Sequence, residues 1–215
     1  MVARVSSVAF VAGQTGWWRI DGIRAISGDS LPAATMLDVV DAQRPGIRQA
    51  AAWTLRGVVS NARYATRSEL DLLKERQPAL GRKDSTRAVL IPIRKSPAWW
   101  ALAQDERRSI MEERSRHVSI GLQYLPAIAR QLLHSRDLGE SFDFLTWFEF
   151  APEDELKFDQ LLERLRATEE WKYVENEVEI RLTYDGERHA LYGRGIYTKP
   201  SKTDPVRHGL ERPTF

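Results

Sequence analysis

The chain has 215 residues, 42% of them hydrophobic, and 32 Lys+Arg against 30 Asp+Glu, for a net charge of +2. This is the composition of a folded globular chain, so whole-chain disorder is excluded, and so small a basic excess speaks against a dedicated nucleic-acid binder. There is no cysteine, which removes disulfides, thiolate metal sites, iron–sulfur clusters and a cysteine nucleophile.

The first apolar run contains Ser6 and Ser7, stops by Gly13 and has no cleavage pattern. It reads as a strand (Val5 to Ala12) and not as a signal peptide. No stretch approaches the ~18 apolar residues of a spanning helix, so the expectation is a cytoplasmic protein without a membrane partner. A second strand follows from Trp17 to Ile26. Leu31 to Gly46, with Pro32 and Pro45, reads as an extended connection, and Ala51 to Val59 as a third strand. Thr66 and Glu69 form a capping-box pattern that opens a helix from about Ser68 to Gln77, closed by Pro78 and Gly81. Arg87 to Ile93 is a strand, with Pro92 expected near its end or on an edge, and Trp99 to Gln104 a helical turn.

Asp105 to His134 is the longest helical stretch, and Pro126 predicts a break near Leu125 and two helices in tandem. Phe142 to Phe150 is a strand. Pro152 opens a helix running to about Thr168, with three acids in its first turn. Val174 to Thr183 is a final strand with Val178, Ile180 and Leu182 inward. The order implies an α+β fold, an antiparallel sheet with helices packed on one face. After Asp185 come six basic and three acidic residues with three prolines, read as an exposed extension.

His117 stands out among the four histidines because it shares a helical face with Ile110, Arg114, Val118 and Gly121. It is either a hydrogen-bonded core histidine or an axial ligand. One histidine is too few for a three-ligand zinc site but enough for haem. Arg130 lies among Ile128, Ala129, Leu132 and Leu133 and needs a partner, a cavity, or a route for its head group to water. Lys95 follows a strand and precedes Trp99 and Trp100, a setting for a flat anionic ligand or for ordinary surface solvation. Glu170 follows the last helix, where a carboxylate either orients an imidazole or is simply solvated.

Taken together, several segments resemble the chlorite dismutase family. They are Ile91-Pro-Ile-Arg-Lys95, Ser96-Pro-Ala-Trp-Trp100, Asp105 to His117, Ile120-Gly121, Tyr124 to Arg130, His134 to Gly139, Phe142 to Glu149 and Thr168-Glu-Glu-Trp171, with Leu55 to Tyr64 also fitting. The resemblance runs from about residue 50 to residue 185 in consistent order and spacing. It implies two ferredoxin-like halves with antiparallel sheets covered by helices. These are a reduced N-terminal half (1–85), a C-terminal half holding haem b (86–185) and an extension (186–215). It is nearest the short branch of the family, which implies a homodimer.

Carried over by position, the resemblance makes His117 the iron ligand, Glu170 its hydrogen-bond partner and Arg130 the distal arginine, with Gln77 hydrogen-bonded to that arginine. Lys95, Trp99, Tyr64 and Asn61 match positions near the haem propionates. The implied activity is conversion of chlorite to chloride and dioxygen through ferryl haem and a transient hypochlorite held by Arg130. Related coproporphyrin-haem decarboxylases carry an uncharged residue at the Arg130 position and a reactive tyrosine where this chain has Ile91. That decarboxylase activity, a haem peroxidase, a non-catalytic haem-binding protein and a cofactor-free structural dimer are the competing readings.

Overall fold

The computed structural model describes residues 7–43, 51–60 and 65–185. Eight strands carry the fold: β1 (Ser7–Gly13), β2 (Trp18–Ser27), β3 (Met36–Asp41), β4 (Trp53–Val59), β5 (Arg87–Lys95), β6 (Ala129–His134), β7 (Phe144–Phe150) and β8 (Val174–Tyr184). They close into one antiparallel barrel in the order β1-β3-β2-β8-β5-β7-β6-β4. The helices are α1 (Arg67–Arg76), α2 (Pro97–Ala101), α3 (Gln104–Arg108), α4 (His117–Leu122) and α5 (Glu155–Arg166), with a π-helical turn (Ser109–Arg114) between α3 and α4. The first four strands are contiguous in the barrel, as are the last four. Only the second group carries helices between its first two strands, α2 to α4 between β5 and β6.

Period-two alternation sorts side chains between two cores. Inside the barrel, Phe10, Leu37, Leu55, Leu90, Leu133, Leu145, Trp147, Val178, Ile180 and Leu182 pack together. Outside it, Val89, Ile91, Ile93, Phe148 and Phe150 meet Ile120 and the face of α5. That face is Phe158, Leu161, Leu162 and Leu165, spaced at i, i+3, i+4 and i+7. Glu177 and Glu179 alternate with the inward residues of β8 and are buried. Arg166 of α5 pairs with both of them, which is how their charge is accommodated away from water.

The seam between β4 and β6 is short, Val58 opposite His134 and Val59 opposite Leu133. It closes on Gly57, where a Cβ would sit 2.7 Å from that of Leu133. No larger residue fits there without moving a strand. At the start of α1 both capping-box bonds form, Glu69 N–H to Thr66 Oγ1 and Thr66 N–H to the Glu69 carboxylate.

Three sequence expectations are corrected. The connection from Leu31 to Gly46 contains β3, which pairs with both β1 and β2; its alternation is short, and partners distant in sequence decide it. The segment after Pro126 is not a second helix but β6, hydrogen-bonded to β7 along its length and to β4 at its end. Its residues favour helix individually, and the edges of two waiting strands override that preference. Pro92 is not on an edge, since β5 lies between β7 and β8. It is opposite Leu145 on β7, and on the β8 side the pairing lapses at Ile91 and Pro92, where a missing N–H does no harm.

Among the described residues no helix is long and apolar enough to cross a membrane. Residues 186–215, including the expected extension, lie outside the described residues.

Candidate haem site

Between the outer face of the second strand group and the helices lies a cavity that opens to solvent. Ile91, Ile93, Arg130, Leu132, Phe144, Thr146 and Phe148 line it from the sheet, and His117, Val118, Gly121, Leu161, Leu162 and Leu165 from the helices. α1 contributes Leu73. Arg130 faces this space because Leu133 points into the barrel. A one-residue register slip in β6 would exchange the two faces and bury the guanidinium in the barrel core.

His117 is the first residue of α4. Arg116 before it adopts a left-handed conformation, φ 55°, which ends the π-helical turn and starts a new helix. The helical face read from the sequence across Ile110, Arg114 and His117 is therefore interrupted. The imidazole Nδ1 is 2.7 Å from Glu170 Oε2, and Nε2 has no hydrogen-bond partner among the described residues. Glu170 stands in a short 3₁₀ turn after α5 (Glu170–Tyr173). It is buried, its amide donates to Ser115 Oγ at 2.8 Å, and its Oε1 accepts from Lys95 Nζ at 2.8 Å.

Desolvation alone would raise the Glu170 carboxyl. The adjoining His117 and Lys95 outweigh it and hold the group well below the usual carboxylate range. An ionised acceptor at Nδ1 places the ring proton there and leaves the Nε2 lone pair free.

Lys95 was expected beside the propionates of a haem. Its ammonium is instead buried and committed to Glu170, with the ring of Trp99 4.6 Å away and that of Trp171 5.6 Å away. Lys95 thus supports the carboxylate behind the imidazole, because a buried ammonium takes the nearest anion. Trp99 is buried and lines the cavity. Gln77, at the C-cap of α1, donates from Nε2 to the Arg130 carbonyl at 2.8 Å. The expected contact with the arginine therefore exists, but with its main chain and not its guanidinium. Asn61 and Tyr64 lie outside the described residues.

The Arg130 guanidinium has no hydrogen-bond or ion-pair partner among the described residues. Burial lowers its pKa from the usual value, yet a guanidinium keeps its charge under any working condition. The loop before β6 is held by Arg82, which donates to the carbonyls of Pro126 (3.3 Å) and Ala127 (2.7 Å).

These residues fit a haem. The cavity is apolar, one imidazole nitrogen and one guanidinium on its walls lack partners among the described residues, and a Cβ built at Gly121 meets none of their atoms within 4 Å. Ser115 and Trp171 lie in segments that carry the resemblance, but the sequence assigns neither a role. Trp171 donates from Nε1 to Glu177 Oε2 at 2.8 Å and lies nearly parallel to the imidazole with ring centroids 6.4 Å apart. Local spacing gives neither away, since Ser115 meets Glu170 and Trp171 meets the His117 ring only across the fold.

The family model described as chlorite dismutase matches residues 39–185. The chain belongs to the chlorite dismutase family. It is 30% identical over 153 residues to the chlorite dismutase of Ideonella dechloratans, a match covering 70% of this chain and 52% of that protein. The chain thus spans about half the length of that curated relative. Among solved structures, the dimeric chlorite dismutase of Nitrobacter winogradskyi superimposes with a TM-score of 0.76 at 53% identity, over 82% of this chain and 99% of that one. A chlorite dismutase variant from Candidatus Nitrospira defluvii gives a TM-score of 0.61 at 18% identity, over 87% and 94% of the two chains, a likeness of fold alone.

Proposed function

We propose that this protein is a haem b enzyme that converts chlorite to chloride and dioxygen. The observation that carries the reading is that His117, backed by Glu170, and Arg130, without a counter-ion among the described residues, line one apolar cavity. When bound, the haem supplies an iron able to accept an oxygen atom and give it back.

His117 would hold the haem iron through Nε2. Glu170 keeps the ring in one tautomer and enriches it in electron density, and Lys95 keeps Glu170 anionic. Chlorite is a monoanion, and Arg130 offers it a fixed positive charge. The surrounding Ile91, Leu132 and Phe148 lower the local dielectric, which strengthens that attraction. Hypochlorite, the fragment left once one oxygen is removed, is also an anion. Arg130 would hold it in the cavity by the same charge, so that ClO₂⁻ could leave as Cl⁻ and O₂. Gln77 fixes the main chain from which Arg130 projects. Trp99, with Asn61 and Tyr64, is proposed to contact the haem periphery.

The two contiguous strand groups are taken as two ferredoxin-like halves (1–85 and 86–185), the first lacking the helices that the second carries between its first two strands, with 186–215 as an extension. A homodimer is proposed because the Nitrobacter structure is named as dimeric.

The test is to load the protein with haem, add chlorite and follow dioxygen with an electrode. Oxygen release in step with chloride formation is expected. Peroxide turnover with no oxygen from chlorite would move the reading to a peroxidase, and decarboxylation of coproporphyrin iron to a decarboxylase.

A further inference from the structure

Helix α4 starts without a capping side chain of its own. Its N-cap position is Arg116, which offers no side-chain acceptor to the first turn. The Arg116 carbonyl accepts from Ile120 N–H, leaving the N–H groups of the first three residues to find partners elsewhere. Two of them find one carboxylate. Glu112, in the preceding π-helical turn, accepts from Val118 N–H at 2.7 Å through Oε2 and from Ser119 N–H at 3.2 Å through Oε1. The Glu112 carbonyl also accepts from Arg116 N–H at 2.8 Å. Three residues on, the buried Ser115 accepts the Glu170 amide N–H on its hydroxyl. One turn of chain, residues 112–115, therefore holds both the helix that begins with the imidazole and the backbone of the carboxylate that orients it.

We infer that Glu112 is a positioning residue for the axial ligand, acting through the α4 backbone on the placement of the His117 ring, with Ser115 fixing Glu170 in the same frame. The inference rests on the proposed role of His117. The bidentate cap ties the first turn of α4 to the preceding segment across the left-handed Arg116, so its loss loosens α4 while the imidazole remains chemically intact. A carboxylate at the start of a helix is also favoured by the exposed N–H dipoles, so the charged form is the better cap. A glutamine can still accept one of the two bonds.

The experiment compares the wild type with Glu112→Gln, Glu112→Ala and His117→Ala. Three readouts are used: the rate of haem loss to an excess of a haem-scavenging protein, the iron–imidazole stretching band of the ferrous form, and hydrogen exchange of the Val118 and Ser119 amides in haem-free protein. Glu112→Ala should deprotect both amides, shift or broaden the stretching band and speed haem loss by roughly tenfold, the scale seen when groups supporting a metal ligand are removed. Glu112→Gln should fall between Ala and wild type, which keeps the idea testable if the alanine variant folds poorly. A wild-type band and haem-loss rate in Glu112→Ala, with the two amides deprotected, would overturn the positioning role while leaving the His117 reading intact. An unchanged band in His117→Ala would overturn the ligand reading, and this inference with it.

Discussion

Replacing Lys95 by methionine removes a buried ammonium while nearly preserving the volume of its stem. Glu170 then keeps its burial and its imidazole partner but loses the cation 2.8 Å from Oε1. Breaking a buried pair from one side typically costs about 3–5 kcal/mol, because the remaining charge is left uncompensated. Desolvation is here the largest single influence on Glu170, and Lys95 also loses its contacts with the Trp99 and Trp171 rings. A loss of about 3 kcal/mol is therefore expected. At roughly 2–4 °C per kcal/mol for a chain of this size, that lowers Tm by about 6–12 °C. The assay is urea and thermal unfolding of haem-free protein at one fixed protein concentration, since association would otherwise add to the apparent stability. The double variant Lys95→Met/Glu170→Gln should recover much of the loss, because no buried charge remains unpaired. A Lys95→Met protein as stable as the wild type, or a double variant worse than the sum of the singles, would refute the reasoning.

Arg130→Ala should take up haem normally and lose roughly 100-fold in kcat/KM for chlorite, the scale of deleting one preorganised electrostatic contact; unchanged oxygen yield and enzyme lifetime would remove its retaining role. Gly121→Leu separates packing from ligand binding. The new Cβ meets no described atom within 4 Å and leucine replaces a poor helix former, so haem-free stability should rise by up to about 1 kcal/mol while haem uptake in a spectroscopic titration falls. Glu179 governs an acid limb. Burial raises its pKa, but Arg166 and Arg181 outweigh this and hold it below its ordinary value of 4.5. A depressed folded-state pKa gives stability that is complete above the unfolded value and drains away as pH falls toward the folded one. Urea unfolding should thus be level from about pH 7 to pH 5 and weaken below about pH 4.5, with Glu179→Gln less stable at pH 7 and flatter in acid.

Much of the fold was legible because its signals are local. The capping box at Thr66 and Glu69 forms as read. The inward set Val178, Ile180 and Leu182 is buried, and the apolar stripe of α5 repeats with helical period. The site was legible only as a set of residue types in a family-like order. Lys95 shows the limit, since its position is right for a cavity and its partner differs from the expected one. Ser115 and Glu112 stand in a family-like segment without a legible role, because each acts on backbone N–H groups that only the folded chain brings to it.

The amino-acid sequence by itself determined the chemical inventory: one histidine on a helical face, one arginine in an apolar run, a carboxylate after the last helix and no thiol at all. Tertiary structure alone decided that the residues after Pro126 form a strand and that Arg130 leans out of the barrel toward the helix bearing His117. The reason is physical. Helix propensity and short periodicity act within a few residues, whereas the edges of β4 and β7 and the burial of Leu133 reach that segment only once the barrel closes.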